Sequence, residues 1–341
     1  MIIEALAKVV ERQPLTRDEA AAVMGDIMED RATSAQFGAF VTALRLKGET
    51  PEEIAGMAQV MRDKSLKVPT DLPVVDTCGT GGDGSGTFNV STAAAFIVAG
   101  AGQPVAKHGN RGMTSQCGSA DVLEALGANI TLGPDAVAQC IERAGMGFMF
   151  APAYHPAMKF AAPLRREIGI RTVFNILGPL TNPAGAKRQV LGVASPEAHG
   201  RLASALALLG TERALVVHGA EGLDEISLSG PTYLLDVNGA KTTESVIRPE
   251  QLGLRPAPPE ALRGGDAAHN ARIVRAVLGG NGEATEAQRD MVALNAAAAL
   301  VAAGAATDLH AGLERAREVL RSGAALQALE RFVNTSQELA N

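Results

Sequence analysis

The chain has 341 residues, of which 46% are hydrophobic and 20% charged, and its formal net charge is −6. This length corresponds to about two domains at roughly 150 residues each, and the composition excludes wholesale disorder. The acidic balance, the absence of tryptophan and an aromatic content of 3% argue against a nucleic-acid-binding protein, which needs a basic face and aromatic side chains for stacking.

The cysteines and the hydrophobic pattern bear on the compartment. Cys78, Cys117 and Cys140 form no CxxC pair and no even disulfide framework, which favours a reducing environment. The N-terminal residues carry charges throughout, unlike a secretory signal peptide. No uncharged apolar run has the roughly 18 residues of a membrane helix. We therefore expect a cytoplasmic protein that does not bind a membrane.

The N-terminal part of the sequence predicts four short helices with polar joints. Thr16, followed three residues later by glutamate, is typical of a capping box, and Thr33 begins the next helix in the same way. Pro51 suits the first position of a fourth helix. We therefore expect a small helical domain over residues 1–70, completed by helices from about 156–190.

After residue 69, short apolar strands alternate with helices. We predict strands at 73–76, 104–107, 129–132, 147–150, 214–218, 232–237 and 242–247, and helices at 90–100, 119–127, 134–144, 196–209, 285–304 and 308–337. Such alternation implies right-handed crossovers. We therefore expect an α/β domain over residues 71–341, with a mostly parallel sheet flanked by helices.

A glycine-rich segment, residues 79–87, directly follows the first predicted strand. Glycines adopt positive φ angles and let the backbone approach a ligand, so that successive N–H groups can face an anion. A flexible surface loop is the alternative. Because open α/β sheets bind their ligands at the carboxyl ends of strands, an anion site is favoured.

The identity of the anion is narrowed by what the segment lacks. Its glycines match the dinucleotide fingerprint formally, but the next helix begins only at about residue 90. No acidic residue lies between Asp83 and Asp121, where the dinucleotide fingerprint would need one to bind the ribose hydroxyl. No Gly-Lys-Ser/Thr follows the glycines, which excludes a Walker loop.

Anion-binding features crowd into that acid-free stretch. Residues 89–92 lie at a predicted helix N-terminus, Lys107 and Arg111 add charge at the end of the next strand, and Thr114, Ser115 and Ser119 add hydroxyls. Two separated anion sites suggest a ligand phosphorylated at both ends. The alternatives are that Lys107 is an ordinary exposed lysine and that Ser91 and Thr92 merely cap a helix.

Two adjacent acids follow the predicted strand at 214–218. Asp224 and Glu225 could form a solvated turn. Beside a diphosphate, however, they would suit Mg²⁺, which takes one or two carboxylates and completes its octahedron with phosphate oxygens and water.

Residues 151–183 combine prolines with cationic side chains, namely His155, Arg165, Arg166 and Arg171. The segment could simply join the two domains. Cations beside apolar residues at a domain boundary would also suit a small apolar carboxylate. For His155 taken alone, a structural role is favoured over a catalytic one.

The order of several motifs carries a family resemblance. They are GTGGD at 79–83, FNVST at 88–92, KHGNR at 107–111, HPAMK at 155–159, LRREIGIRTVFNILGPLTNP at 164–183 and GLDE at 222–225, with LNAAAAL at 294–300. Over nearly the whole chain, this pattern resembles the anthranilate phosphoribosyltransferase family. The resemblance implies transfer of a phosphoribosyl group from PRPP (5-phosphoribosyl 1-diphosphate) to the amine of anthranilate, in tryptophan biosynthesis. It also implies Mg²⁺, with two ions per subunit, and homodimers formed through the helical domain, which is hinged to the α/β domain.

The resemblance further implies roles for individual residues. The PRPP-binding residues it implies are Gly79, Gly82, Asp83, Thr87, Asn89, Val90, Ser91, Thr92, Lys107, His108, Gly109, Asn110, Arg111, Gly112, Met113, Thr114, Ser115 and Ser119. The anthranilate contacts it implies are Gly79, His108, Asn110, His155 and Arg165, with Pro152 beside them, and Met158 stands where some members carry tyrosine. The magnesium ligands it implies are Ser91, Asp224 and Glu225.

Two other functions are compatible with parts of this pattern. A pyrimidine nucleoside phosphorylase shares the fold but resembles KHSTGG where this chain has KHGNR. A non-catalytic nucleic-acid-binding relative would need basic patches and would have lost the PRPP motifs. For the phosphoribosyl transfer to anthranilate, we assign no nucleophilic side chain and no obligatory general base, because an arylamine is already neutral at pH 7.

Overall fold

A computed structural model describes residues 1–112, 115–280 and 282–340. Its N-terminal part is helical, and three of the helices begin with complete capping boxes, at Thr16, Thr33 and Thr50. These boxes confirm the predicted helix starts. The four helices are α1 (Ile2–Val10), α2 (Arg17–Met28), α3 (Ser34–Lys47) and α4 (Pro51–Asp63).

The described residues also form one seven-stranded sheet. Its strands are β1 (Val75–Gly79), β2 (Val105–Gly109), β3 (Met146–Phe150), β4 (Arg188–Gly192), β5 (Arg213–Gly219), β6 (Thr232–Asn238) and β7 (Lys241–Ile247). They follow the order β3-β2-β1-β4-β5-β6-β7, in which β1 to β5 are parallel and the last two strands antiparallel. The prediction of a mostly parallel sheet flanked by helices, with an N-terminal helical part, is confirmed.

The remaining helices connect the strands or follow the sheet. They are α5 (Val90–Gly100), α6 (Ser119–Ala125), α7 (Pro134–Ala144), α8 (Ala151–Tyr154), α9 (Met158–Ile168), α10 (Phe174–Leu177), α11 (Pro196–Leu208), α12 (Ala267–Gly279), α13 (Glu286–Ala302), α14 (Leu309–Arg321) and α15 (Ala324–Glu338), with short 3₁₀ turns at Gly178–Leu180, Pro249–Leu252 and Pro259–Leu262.

The two faces of the sheet bury different sets of side chains. Side chains alternate between the two faces along a strand. On one face of β4 and β5, Val190 and Leu215 pack into a core with helices α5 and α13. Their neighbours Leu191 and Val216 enter a second core, which also contains the apolar faces of the four N-terminal helices and of α11. The helical part of the chain and one sheet face therefore share a hydrophobic core.

One predicted strand is wrong. Residues 129–132 are irregular, because the Asn129 side chain accepts hydrogen bonds from the backbone and hydroxyl of Thr131, both at 2.9 Å, and forms a local turn. The Asn129 amide donates to Ser336 Oγ at 3.0 Å rather than to a strand. Strand β4 and helix α12 are additions to the prediction, and the predicted helix at 308–337 is broken at Gly323, whose φ is 75°.

Among the described residues, no helix combines the length and the apolar character that crossing a membrane requires.

Candidate functional site

The glycine loop leaves the sheet at the carboxyl end of β1. Gly81, Gly82, Gly84 and Gly86 all have positive φ angles, between 66° and 73°, which side chains rarely tolerate. Within the described part of the chain, the amides of Gly82 and Asp83 make no hydrogen bond, so they are available to an anion. The loop predicted to bind an anion therefore presents unpaired amides.

The acidic pair lies directly against this loop. Asp224 Oδ2 accepts a hydrogen bond from the Gly81 amide at 2.7 Å. Two glycines paired across β1 and β4 make room for it: a Cβ on Gly79 would lie 2.4 Å from Asp224 Oδ2, and one on Gly192 only 1.6 Å from the Asp224 carbonyl oxygen. Glycine is thus required at both positions, and the motifs in the sequence do not identify Gly192.

Glu225 faces the start of helix α5. Its Oε1 accepts a hydrogen bond from the Ser91 amide at 3.0 Å, and the Ser91 hydroxyl lies 3.4 Å from Lys107 Nζ. The three groups come from the loop after β5, the first turn of α5 and the middle of β2. The structure therefore brings together the predicted metal ligands Ser91, Asp224 and Glu225 and the predicted phosphate contact Lys107.

Burial and mutual repulsion perturb both acids. Removal from water raises the pKa of the Asp224 carboxyl, and the nearby Asp83 carboxylate raises it further. The pKa of Glu225 is raised for the same reason and by Asp224, although Lys107 opposes the shift. Two partly buried carboxylates with excess negative charge are a suitable environment for a cation.

The fit of the residues to magnesium can be tested on their chemistry. The described residues contain no group of three or more histidine, cysteine or acidic side chains arranged to hold a metal alone. Mg²⁺ does not need such a cage, since it keeps waters and shares phosphate oxygens with one or two carboxylates. Asp224, Glu225 and the Ser91 hydroxyl fit an ion brought in with a phosphorylated ligand.

A side chain of helix α13 binds the backbone next to the acidic pair. The buried Asn295 side chain accepts from the Ile226 amide at 2.8 Å and donates to the Ile226 carbonyl oxygen at 3.0 Å. Both backbone groups next to Glu225 are thereby fixed. In the sequence, the segment 294–300 stands out only as part of the family resemblance, so this role of Asn295 is not predicted.

Lys107 is not an ordinary exposed lysine. Only 2% of its surface is exposed, and its ammonium donates to the Thr77 carbonyl oxygen. Burial lowers the pKa of Lys107, whereas the equally buried Asp76 acts in the opposite direction. Asp76 is in turn held by Asn182 Nδ2 at 2.8 Å. The lysine is therefore fixed below the glycine loop.

Other expected PRPP contacts have partners within the protein. Arg111 pairs with Asp121, at 2.9 Å, and with Glu124, so its charge is already compensated. The Asn89 side chain donates to the Cys117 carbonyl oxygen at 3.2 Å and accepts from Asn270 at 2.9 Å. The side chains of these two residues are thus occupied by structural bonds.

The other residues expected to contact PRPP lie in different environments. Thr87 lies beside Ser85 in the loop, the Thr92 hydroxyl is buried without a partner among the described residues, and the Ser119 hydroxyl lies 3.3 Å from the Asn110 carbonyl oxygen. Ser115 is exposed. Met113 and Thr114 lie outside the described residues.

Two of the residues predicted to contact the acceptor are buried imidazoles. The rings of His108 and His155 lie 5.1 Å apart between centroids, and no described residue satisfies Nε2 of His108 or either ring nitrogen of His155. Burial lowers the pKa of His108 to about 3 and that of His155 to about 4, with a further contribution from the charge of Lys67 for His155. Both rings are therefore neutral at pH 7.

The cations of 151–183 separate into different environments. Arg165 is half-buried, lies 5.4 Å from the centroid of the Phe174 ring and pairs with no carboxylate among the described residues, and burial lowers its pKa. It is thus the cation suited to an apolar carboxylate. Arg166 is exposed, whereas Arg171 donates to the carbonyl oxygens of Gly82 and Gly81, at 2.9 and 3.0 Å. Pro152 is exposed and Met158 half-buried.

Comparison with known proteins identifies the family. Residues 71–326 match the model of the glycosyl transferase family a/b domain, and residues 3–65 match that of its helical bundle domain. The anthranilate phosphoribosyltransferase of Chloroflexus aggregans is 59% identical over 98% of each chain. The crystal structure of that of Thermus thermophilus superposes with a TM-score of 0.91 at 46% identity, covering 98% of this chain and 99% of the other. A structure from Saccharomyces cerevisiae in complex with PRPP and Mg has a TM-score of 0.89 at 29% identity, covering 99% and 98%. With these similarities over its full length, the chain belongs to the anthranilate phosphoribosyltransferase family.

Proposed function

We propose that the protein transfers the phosphoribosyl group of PRPP to the amine of anthranilate, giving N-(5-phosphoribosyl)anthranilate and diphosphate in tryptophan biosynthesis. The observation that carries this proposal is the contact of the acidic pair with the glycine loop and with the start of helix α5, in which Gly81 donates to Asp224 and Ser91 to Glu225. The family's yeast member in complex with PRPP and Mg supports the same ligands here.

The residues divide into a donor side and an acceptor side. On the donor side, the free amides of Gly82 and Asp83 bind the diphosphate, while Lys107 adds positive charge beside Ser91. On the acceptor side, the unpaired guanidinium of Arg165 binds the anthranilate carboxylate, and Gly79, Asn110, His108 and His155 form the surrounding wall.

The reaction requires a good leaving group and a well-placed acceptor. Asp224, Glu225 and Ser91 would hold Mg²⁺, which would supply positive charge to the departing diphosphate, and we propose two ions per subunit. Neutral His108 and His155 do not repel the developing positive charge on the sugar. Fixing the anthranilate amine in line with C1 supplies much of the acceleration.

The assay combines the protein with PRPP, Mg²⁺ and anthranilate and follows the loss of anthranilate fluorescence. The expected result is Mg²⁺-dependent turnover that the Asp224→Ala/Glu225→Ala variant loses. A double variant with unchanged Mg²⁺-dependent turnover would falsify the metal assignment. Absence of turnover together with thymidine phosphorolysis would favour the pyrimidine nucleoside phosphorylase instead.

We further propose a cytoplasmic homodimer built on the helical domain of residues 1–70, completed by residues 156–190 and followed by the α/β domain of 71–341. Helices α1 and α3 pack together, and Ile3, Val10 and Leu46 on them are 65%, 57% and 76% exposed. An apolar surface of this kind favours burial against a second copy. Sedimentation velocity tests the assembly: a species of about 35 kDa at micromolar concentration would contradict it.

A further inference from the structure

Arg171 connects the segment before α10 to the glycine loop. One guanidinium donates to two successive carbonyl oxygens, those of Gly81 and Gly82, at 3.0 and 2.9 Å. We infer that Arg171 is a positioning residue that holds the glycine loop in the conformation that receives the diphosphate of PRPP. This inference rests on the proposed function and adds a residue that the motif comparison does not place in the PRPP site.

The geometry of the peptide bond links these carbonyls to the anion site. In a trans peptide the C=O and the following N–H point in opposite directions. By binding the Gly81 and Gly82 oxygens, Arg171 turns the amides of Gly82 and Asp83 away from its own guanidinium. Neither amide has a hydrogen-bond partner among the described residues, and the same holds for the loop amides of Gly84 and Gly86. Arg171 thus fixes the direction of the amides that the proposed function assigns to phosphate.

The loop sequence is adapted to this contact. A Cβ on Gly82 would lie 1.6 Å from Arg171 Nη1 and 2.6 Å from Arg171 Cζ, so no side chain can occupy that position while the guanidinium remains. The φ of Gly82 is also positive, at 73°. A glycine is needed here because of the arginine as well as because of the backbone conformation.

Arg171 is itself anchored from the helical part of the chain. Arg45 on helix α3 donates from Nη1 to the Arg171 carbonyl oxygen at 2.6 Å. Among the described residues, the other attachments of positions 80–87 are few: the Thr80 amide bonds to the Gly192 carbonyl oxygen, the Thr80 hydroxyl accepts from the Ala194 amide, the Gly81 amide bonds to Asp224, and the Gly264 amide bonds to the Gly86 carbonyl oxygen. Fixing such a loop before the ligand arrives reduces the ordering entropy lost on binding, and therefore strengthens binding.

This role differs from that of a carboxylate ligand. Both terminal nitrogens of Arg171 are engaged by loop carbonyls, whereas Arg165 has a half-buried guanidinium without an acidic partner among the described residues. The positioning role therefore predicts an effect on PRPP, and a carboxylate role would predict an effect on anthranilate.

The test compares Arg171→Gln, Arg171→Lys and Arg171→Ala with the wild type. We expect the PRPP KM of Arg171→Gln to rise about tenfold or more, with the anthranilate KM changed less than twofold. Binding of diphosphate with Mg²⁺, measured by calorimetry, should weaken by a similar factor. Lysine lacks the planar fork and should restore binding only in part, whereas added ethylguanidinium should lower the PRPP KM of Arg171→Ala and not that of the wild type.

The matched control is Arg315→Gln, which removes the same charge from an exposed pair with Glu318 on helix α14 and should leave both KM values unchanged. The inference is overturned if Arg171→Gln keeps the wild-type PRPP KM and diphosphate affinity, or if the anthranilate KM rises as much as the PRPP KM. Should Arg171→Gln not fold, the diphosphate affinity of Arg171→Lys decides. A wild type that binds diphosphate but does not consume anthranilate would refute the proposed function alone, since the calorimetric comparison still reports on Arg171.

Discussion

Replacing Gly192 by alanine is the most direct test of how the sheet supports the acidic pair. The new Cβ would lie 1.6 Å from the Asp224 carbonyl oxygen and 2.4 Å from its carbonyl carbon, both backbone atoms that no rotamer change can move. Restoring even a 3.0 Å contact requires the loop to shift by about 1.4 Å. Asp224 and Glu225 would then move relative to the glycine loop and to Ser91.

The size of the effect follows from this displacement. A misplacement of about 1 Å can cost about 100-fold in rate, or about 2.7 kcal/mol of transition-state stabilisation. We therefore expect kcat/KM for PRPP to fall by about 100-fold or more, with a higher Mg²⁺ concentration at half-maximal rate. Steady-state kinetics over a Mg²⁺ titration measures both quantities.

The chain offers a matched control in Gly200→Ala. A Cβ at Gly200, inside helix α11, would meet nothing within 4 Å. That substitution should leave the kinetics unchanged and stabilise the protein by about 0.5–1 kcal/mol. If Gly192→Ala retained the wild-type kcat/KM and Mg²⁺ dependence, the argument that this glycine positions the acids would be refuted.

Two further predictions concern stability. Asn295→Leu leaves the Ile226 amide and carbonyl oxygen unpaired in the core, so urea unfolding should show a loss of about 2 kcal/mol or more; an unchanged free energy of unfolding would contradict the assignment. The folded-state pKa values of His108 and His155 are lowered to about 3 and about 4, below the ordinary 6.5. The unfolded state therefore binds more protons than the folded state. The contribution of these histidines to stability is thus present above about pH 6.5 and is lost as the pH falls towards their folded-state pKa values. At pH 5 each histidine lowers the free energy of unfolding by at most about 2 kcal/mol relative to pH 7. The stability of His108→Gln/His155→Gln, measured by urea unfolding, should therefore decline less steeply as the pH falls. Parallel curves of stability against pH for variant and wild type would contradict this.

Local signals in the sequence predict much of the fold. Capping boxes are readable because the residues at Thr16 and Thr33 act within one helical turn. Strand β4 escapes prediction because its first residues, Arg188 and Gln189, are polar and leave only a short apolar pattern. Residues 129–132 show the opposite error, since an apolar pattern cannot reveal that Ser336 and the Asn129 side chain take the hydrogen bonds of this segment.

The sequence predicts those site residues whose role follows from their residue type. It misses those whose role depends on contacts with residues that are distant in the chain. Glycine amides, paired acids and Lys107 are visible in the sequence. Gly192 and Asn295 act through contacts with Asp224 and Ile226, which lie 32 and 69 positions away in the chain, so no local pattern reveals them. Likewise, the sequence shows that Arg171 is a cation but not that its partners are two backbone carbonyls.

The shared core beneath β4 and β5 has a consequence for dissecting the molecule. Leu191 and Val216 are completely buried in the same cluster as the N-terminal helices, of which α4 packs against α11 and α11 packs against β5. Deleting those helices would uncover apolar side chains on α9 and α11, against which they pack, and the shortened polypeptide would tend to aggregate. A boundary drawn along the sequence near residue 70 is therefore not a place where the protein can be cut, and exchanging the helical segment between relatives would require redesigning the facing surfaces of α9 and α11 at the same time.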